Sequence, residues 1–196
     1  MQRTSSKASK KAIFLDRDGV LNVEKTFVLT PEDMELYPHT GEAVRKINES
    51  SYLAIVVTNQ SAVARNYITL DELNRIHDEM YRQLKMSGAY VDGLYYCPHR
   101  EHLDDPPEDT RFIVDCECRK PKPGMLHQAT VDFGLDLEGS YLIGDSVRDI
   151  QAGKRAGCTT IGLRTGHALK GLEDPPDHIF DDLQQAIDFI LDKKQG

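Results

Sequence analysis

Ala12-Ile13-Phe14-Leu15-Asp16-Arg17-Asp18-Gly19 carries the decision about this chain. Four apolar residues of the kind found in a buried strand run straight into two carboxylates two positions apart and then a glycine. An acid at the carboxyl end of a strand can attack phosphorus as an anionic nucleophile and form an acyl phosphate. A second acid beside it can protonate the leaving alcohol and later activate a water. A carboxylate approaches a phosphate dianion only with a cation between them, so the pair implies Mg2+. A solvated turn would use the same residue types, so the reading depends on the rest of the chain.

Working outward, short apolar runs alternate with amphipathic ones. Leu53 to Val57, a short run ending near Tyr96, Tyr141 to Ile143 and Thr160 to Leu163 read as further strands, after a first at Ala12 to Leu15. Helices are expected over Gly41 to Glu49, Thr69 to Met86, Gly124 to Phe133, Val147 to Ala156 and Asp181 to Leu191. Thr69 and Glu72 form a capping box, and Leu70, Leu73, Ile76, Met80 and Leu84 share one helical face. Nearly continuous apolar strands alternating with helices imply α/β architecture, a doubly wound parallel sheet. Ligands on such sheets sit at the carboxyl ends of the strands, which gathers Asp16, Thr58 and Gly144-Asp145 in one place.

Thr58 offers a hydroxyl and the backbone N–H groups behind it to phosphate oxygens, or serves as a cap. Asp145 and Asp149 in Gly144-Asp145-Ser146-Val147-Arg148-Asp149 lie four apart, on one face of a helical turn. They complete a magnesium site, with Asp149 outside the first ligands, or they cap the helix and favour its dipole. Arg119-Lys120-Pro121-Lys122-Pro123 supplies cations on a stiffened stretch. A fixed lysine there, Lys120 before Lys122, can neutralise charge on a transferring phosphoryl group.

The 196 residues suffice for one domain, expected over 12–196 after a disordered tail at 1–11. A net charge of −8 disfavours nucleic acid as a partner, and no apolar run reaches bilayer length. The Ser- and Lys-rich start has no apolar core of a secretory signal, so a cytoplasmic monomer with thiol or metal-bound cysteines is expected. Cys97-Pro98-His99 and Cys116-Glu117-Cys118 bracket the one long irregular segment, 97–119. Three thiolates and an imidazole can hold a closed tetrahedral Zn2+, with a disulfide as the alternative and His102 as a rival to His99. Cys158 reads as a small core residue. A loop of this size is no cap domain, so the site should be open to a molecule with a terminal phosphate.

The ordered set Asp16-x-Asp18-Gly19, Thr58, Lys120 and Gly144-Asp145-x-x-x-Asp149 resembles the haloacid dehalogenase (HAD) superfamily of phosphohydrolases. The resemblance implies Asp16 as nucleophile, Asp18 as general acid and base, and Thr58 and Lys120 as phosphoryl stabilisers. It also implies Mg2+ on the Asp16 side chain, the Asp18 carbonyl and Asp145. Within that superfamily, Tyr95-Tyr96-Cys97-Pro98-His99, Cys116-Glu117-Cys118-Arg119-Lys120-Pro121 and Val57-Thr58-Asn59-Gln60-Ser61 look like the heptose-bisphosphate phosphatases. That family removes the C7 phosphate of D-glycero-D-manno-heptose 1,7-bisphosphate, a small phosphorylated sugar, and carries a zinc loop with this ligand order. Its substrate contacts map onto Glu24, Lys25, Thr26, Phe27, Asn59, Gln60, Ser61, Arg119 and Ser146. The chain departs from the family at Ala62-Val63, where Gly-Ile is usual. Histidinol-phosphate phosphatase is the sister alternative. A receiver-type signalling module also uses Asp, Thr and Lys around Mg2+, but it lacks a second acid such as Asp18 to activate water.

Overall fold

The computed structural model describes residues 9–107, 109–171 and 173–192. Six parallel strands form one sheet: β1 (Lys11–Leu15), β2 (Tyr52–Asn59), β3 (Gly93–Cys97), β4 (Tyr141–Gly144), β5 (Thr159–Leu163) and β6 (His178–Phe180). Their order is β3-β2-β1-β4-β5-β6, so the chain reverses its winding between β1 and β4. Five α-helices accompany them: α1 (Thr40–Asn48), α2 (Leu70–Met86), α3 (Gly124–Phe133), α4 (Val147–Ala156) and α5 (Leu183–Asp192).

The strand residues alternate between two separate apolar cores, which makes the sheet doubly wound. Ile13, Leu15, Ala54 and Val56 pack on one face, with Val44 and Ile47 of α1, Leu73 and Ile76 of α2 and Ile187 of α5. Ala12, Phe14, Ile55 and Val57 pack on the other, with Met125, Leu126 and Ala129 of α3 and Ala152 of α4. A period of two across a sheet covered on both sides accounts for the unbroken apolar runs. The capping box at Thr69 and Glu72 is formed, the hydroxyl accepting from Glu72 N at 3.2 Å and the carboxylate accepting from Thr69 N at 2.7 Å.

Three expectations change. β1 begins at Lys11, and Lys10 pairs with Leu135, so the end of the expected tail belongs to the sheet; residues 1–8 lie outside the described residues. The sixth strand, β6, was not expected, because His178-Ile179-Phe180 is too short to show a period and stands at the sheet edge. A 3-10 turn at Pro31–Asp33 was also not foreseen.

His77, on the buried face of α2, is 3% exposed, and its Nε2 has no partner among the described residues. Burial, reinforced by the Arg17 charge and only partly offset by Asp18, pushes its pKa down to about 3. The unfolded chain therefore takes up a proton that the folded protein refuses, and stability falls as pH drops below the ordinary histidine value near 6.5. The loss should reach about 1.4 kcal/mol by about pH 5.5. Urea unfolding of His77→Leu should show a flatter fall between about pH 7.5 and 5.5 than the parent; parallel curves would refute the assignment.

Candidate active site

β1 delivers Asp16 and β4 delivers Asp145 on either side of the point where the winding reverses, where an open sheet leaves a crevice. Asp16, Asp145 and Asp149 present carboxylate oxygens within 4.8 Å of one another. Lys120, only 1% exposed, reaches between two of them: its Nζ is 2.9 Å from Asp16 Oδ1 and 2.5 Å from Asp149 Oδ1. The same ammonium donates to Val57 O at 2.8 Å. Burial opposes the lysine charge, but the flanking carboxylates of Asp149 and Asp16 outweigh it and raise the pKa. Burial first, then Asp149, push the Asp16 carboxyl well up, against the pull of Lys120. Asp145 is raised as well, by burial and Asp149 against the pull of His167.

These acids fit a divalent cation. Asp145 Oδ1 is buried without a hydrogen-bond partner among the described residues, while its Oδ2 accepts from His167 N at 2.6 Å and lies 2.8 Å from His167 Nδ1. Two glycines make room for that carboxylate. A Cβ at Gly19 would stand 2.3 Å from Asp145 Oδ2 and one at Gly166 2.1 Å, and both residues have positive φ.

Asp18 is held differently. Its Oδ1 accepts from Arg17 at 2.9 Å and Asn22 Nδ2 at 3.0 Å, and its Oδ2 from Gln60 Nε2 at 2.8 Å. Burial would raise this carboxyl, but the Arg17 charge and those hydrogen bonds prevail and hold it below the ordinary range. Gln60 Nε2 also donates to Thr58 Oγ1 at 2.8 Å, tying the strand-terminal hydroxyl to the second acid.

Of the residues expected to contact substrate, Glu24, Thr26, Phe27, Asn59, Gln60, Ser61, Arg119 and Ser146 line the catalytic cleft of about 230 Å³. Lys25 does not line it. Its ammonium turns to Glu35 at 3.0 Å and to Asp33 O at 3.0 Å, and the positive φ of Thr26 redirects the chain after it. Three of the cleft residues spend their polar groups on the protein. Asn59 exchanges hydrogen bonds with the Lys120 backbone, both at 3.0 Å, Gln60 joins Arg17, Asp18 and Thr58, and the Ser146 hydroxyl donates to Asp149 at 2.6 Å. Sequence reasoning passed over Arg17, Asn22 and His167. Arg17 stood inside the decisive motif, but burial of a charged residue has no spacing signature. His167 reaches Asp145 from a turn 22 positions downstream, which no motif marks.

Cys97, His99, Cys116 and Cys118 converge, and none of the cysteines is in a disulfide. The Sγ of Cys116 is 3.6 Å from that of Cys97 and 3.4 Å from that of Cys118, and His99 Nδ1 is 3.3 Å from Cys118 Sγ. The edge of a tetrahedron of sulfurs around zinc is about 3.8 Å, so the cluster is close to the size of a zinc site. Hydrogen bonds from within the cluster lower the Cys118 thiol while raising that of Cys97, so without a cation the thiols ionise at one another's expense. His102 stays outside, near Asp104.

Residues 117–186 match the HAD-hydrolase-like family model. The chain is 40% identical over 161 residues to D-glycero-beta-D-manno-heptose-1,7-bisphosphate 7-phosphatase of Pasteurella multocida, spanning 82% of this chain and 85% of the relative. It is 35% identical over 185 residues to D-glycero-alpha-D-manno-heptose-1,7-bisphosphate 7-phosphatase of Campylobacter jejuni, spanning 93% of this chain and 97% of that one. A crystal structure of the D,D-heptose 1,7-bisphosphate phosphatase from B. bronchiseptica, complexed with magnesium and phosphate, superposes with a TM-score of 0.81 at 34% identity. That match covers 93% of this chain and 99% of the other. With the acid–lysine–acid cluster at the reversal point and relatives aligned along most of its length, this chain belongs to the D-glycero-D-manno-heptose-1,7-bisphosphate 7-phosphatase family of HAD-type phosphatases.

Proposed function

We propose that the chain from Lys10 onward forms a cytoplasmic, monomeric, Mg2+-dependent phosphatase that removes the C7 phosphate of D-glycero-D-manno-heptose 1,7-bisphosphate on the route to nucleotide-activated heptose. The observation that carries this reading is the buried Lys120 bridging Asp16 and Asp149 in a cleft that Arg65, Arg100, Arg119 and Arg148 also line, in a chain of this family. Asp16 attacks phosphorus, the bond from phosphorus to the C7 oxygen breaks, and Asp18 gives that oxygen its proton. Asp18, now a base, takes a proton from water. The water oxygen attacks the aspartyl phosphate and releases inorganic phosphate and Asp16. The Arg17, Asn22 and Gln60 contacts suit Asp18 to the second step. The phosphate dianion arriving beside it raises its proton affinity for the first. Thr58 and Lys120 hold the phosphoryl oxygens. A Mg2+ ion would be held by the Asp16 carboxylate, the Asp18 carbonyl and Asp145, and would supply charge neutralisation between nucleophile and phosphate.

Phosphate release measured on heptose 1,7-bisphosphate, histidinol phosphate and a 3′-phosphorylated oligonucleotide tests the reading, which predicts a clear preference for the first. Preference for histidinol phosphate would replace the substrate and keep the chemistry.

Arg119 is assigned to the remote phosphate. One of its nitrogens donates to His99 O at 2.9 Å, leaving the rest of the guanidinium fork for the ligand. A charge-assisted hydrogen bond contributes roughly 1.5–3 kcal/mol. Arg119→Ala should therefore cost on the order of 10- to 100-fold more kcat/KM on the bisphosphate than on a small aryl phosphate. Equal losses would move Arg119 to the transferred phosphate or to the loop.

Cys97, His99, Cys116 and Cys118 are assigned to a structural Zn2+ that closes the 97–119 loop and aims Arg119 and Lys120. Elemental analysis should find about one zinc per chain, retained when Mg2+ is removed. Cys118→Ser should lower that content and raise KM before it unfolds the sheet. Zinc-free protein with the cysteines oxidised in pairs would refute the assignment.

A further inference from the structure

Three segments far apart in the sequence bring arginines to the lining of the catalytic cleft. Arg65 comes from the turn after β2, Arg100 and Arg119 from the two ends of the 97–119 loop, and Arg148 from the first turn of α4. All four line both the catalytic cleft and a larger hollow of about 1050 Å³ that shares these residues with it and is lined also by residues 101–107 of the loop.

Among the described residues none of the four has an ion pair with a carboxylate, in a chain whose net charge is −8. What holds these is neutral. Arg119 donates to His99 O at 2.9 Å, Arg100 Nε donates to His102 O at 3.1 Å, and Arg65 lies 5.6 Å from the centre of the Phe27 ring. Arg148 is exposed with no hydrogen bond or ion pair among the described residues, and Arg65 Nε is buried without one. Four guanidiniums lining one cleft, none of them paired with a carboxylate among the described residues, favour an anion there.

We propose that Arg148 and Arg100, with Arg65 and Arg119, form an anion cradle that receives the second phosphate of the substrate. Arg148 and Arg100 then determine the preference for bisphosphates over monophosphates. This rests on the bisphosphate reading above and extends it from one arginine to a site built by three segments. Planar guanidinium forks converging from different elements can meet several oxygens of one phosphate, which a single fork cannot.

The test compares kcat/KM on heptose 1,7-bisphosphate and heptose 7-phosphate for the parent, Arg148→Ala, Arg100→Ala and Arg148→Lys. The bisphosphate-to-monophosphate ratio should fall by about tenfold or more in each alanine variant, mostly through KM, with partial recovery in Arg148→Lys. Competitive inhibition by heptose 1-phosphate, the product that keeps the second phosphate, should weaken in parallel and depend less steeply on salt. An unchanged ratio in both alanine variants would overturn the proposal, because the arginines would then serve the transferred phosphate or the loop.

The same comparison on fructose 1,6-bisphosphate and fructose 6-phosphate separates the two claims. If the parent prefers fructose bisphosphate while the variants lose its bisphosphate preference, the cradle stands and the heptose reading falls. If the parent prefers the heptose bisphosphate and the variants keep its ratio, the cradle falls and the heptose reading stands.

Discussion

Asp16→Asn should abolish turnover while leaving the folded protein at least as stable as the parent. Loss of a catalytic nucleophile costs on the order of 10⁴-fold or more, because the amide cannot form the acyl phosphate. Stability should move the other way for an electrostatic reason. Burial and the charges of Asp149, Asp145 and Asp18 push the Asp16 carboxyl well up, so its ionised form is unfavourable in the fold. A neutral amide of the same shape removes that repulsion, and Lys120 keeps its contact with Asp149. Single-turnover phosphate release and thermal unfolding in parallel are the measurements. A well-folded variant with near-normal rate would remove Asp16 from the mechanism. A variant that fails to fold would show that the Asp16–Lys120 pair holds the sheet ends together.

Lys120→Met should damage both properties. The ammonium lies between two carboxylates and is almost wholly buried, so its removal strands Asp149 and Asp16 beside each other. Breaking a buried ion pair from one side costs about 3–5 kcal/mol. The lost neutralisation of the transferring phosphoryl group should lower kcat by roughly 10²- to 10³-fold. Lys120→Met combined with Asp149→Asn separates the two effects, since urea unfolding should recover much of the stability while the rate stays low. Recovery of rate along with stability would mean that Lys120 acts only through the fold.

The architecture was largely legible in the sequence because it follows from local periodicity. Strands buried on both faces must be apolar throughout, as Phe14-Leu15 and Ile55-Val56-Val57 are, and α3 and α4 begin and end where composition changes. The edge strand β6 escaped notice because three residues carry too little pattern. Asp16 and Asp145 could be placed together from the rule for strand ends. Partnership between side chains could not. Gln60, two positions after Thr58, reads as a contact for substrate, yet its amide is spent on Asp18, Arg17 and Thr58. Lys25, flanked by cleft residues, turns its charge to Glu35 instead.

By itself, then, the sequence determined the winding of the sheet, which strand ends carry acids and where the thiols lie, since each depends on residue types at short range. Only the tertiary structure decided which charges meet. Lys120 bridging Asp16 and Asp149, His167 on Asp145, and four arginines in one cleft join segments tens of residues apart. Those partners settle which acids sit above and which below their ordinary proton affinity, because Coulomb energy and burial depend on distance in space and leave no trace in spacing along the chain.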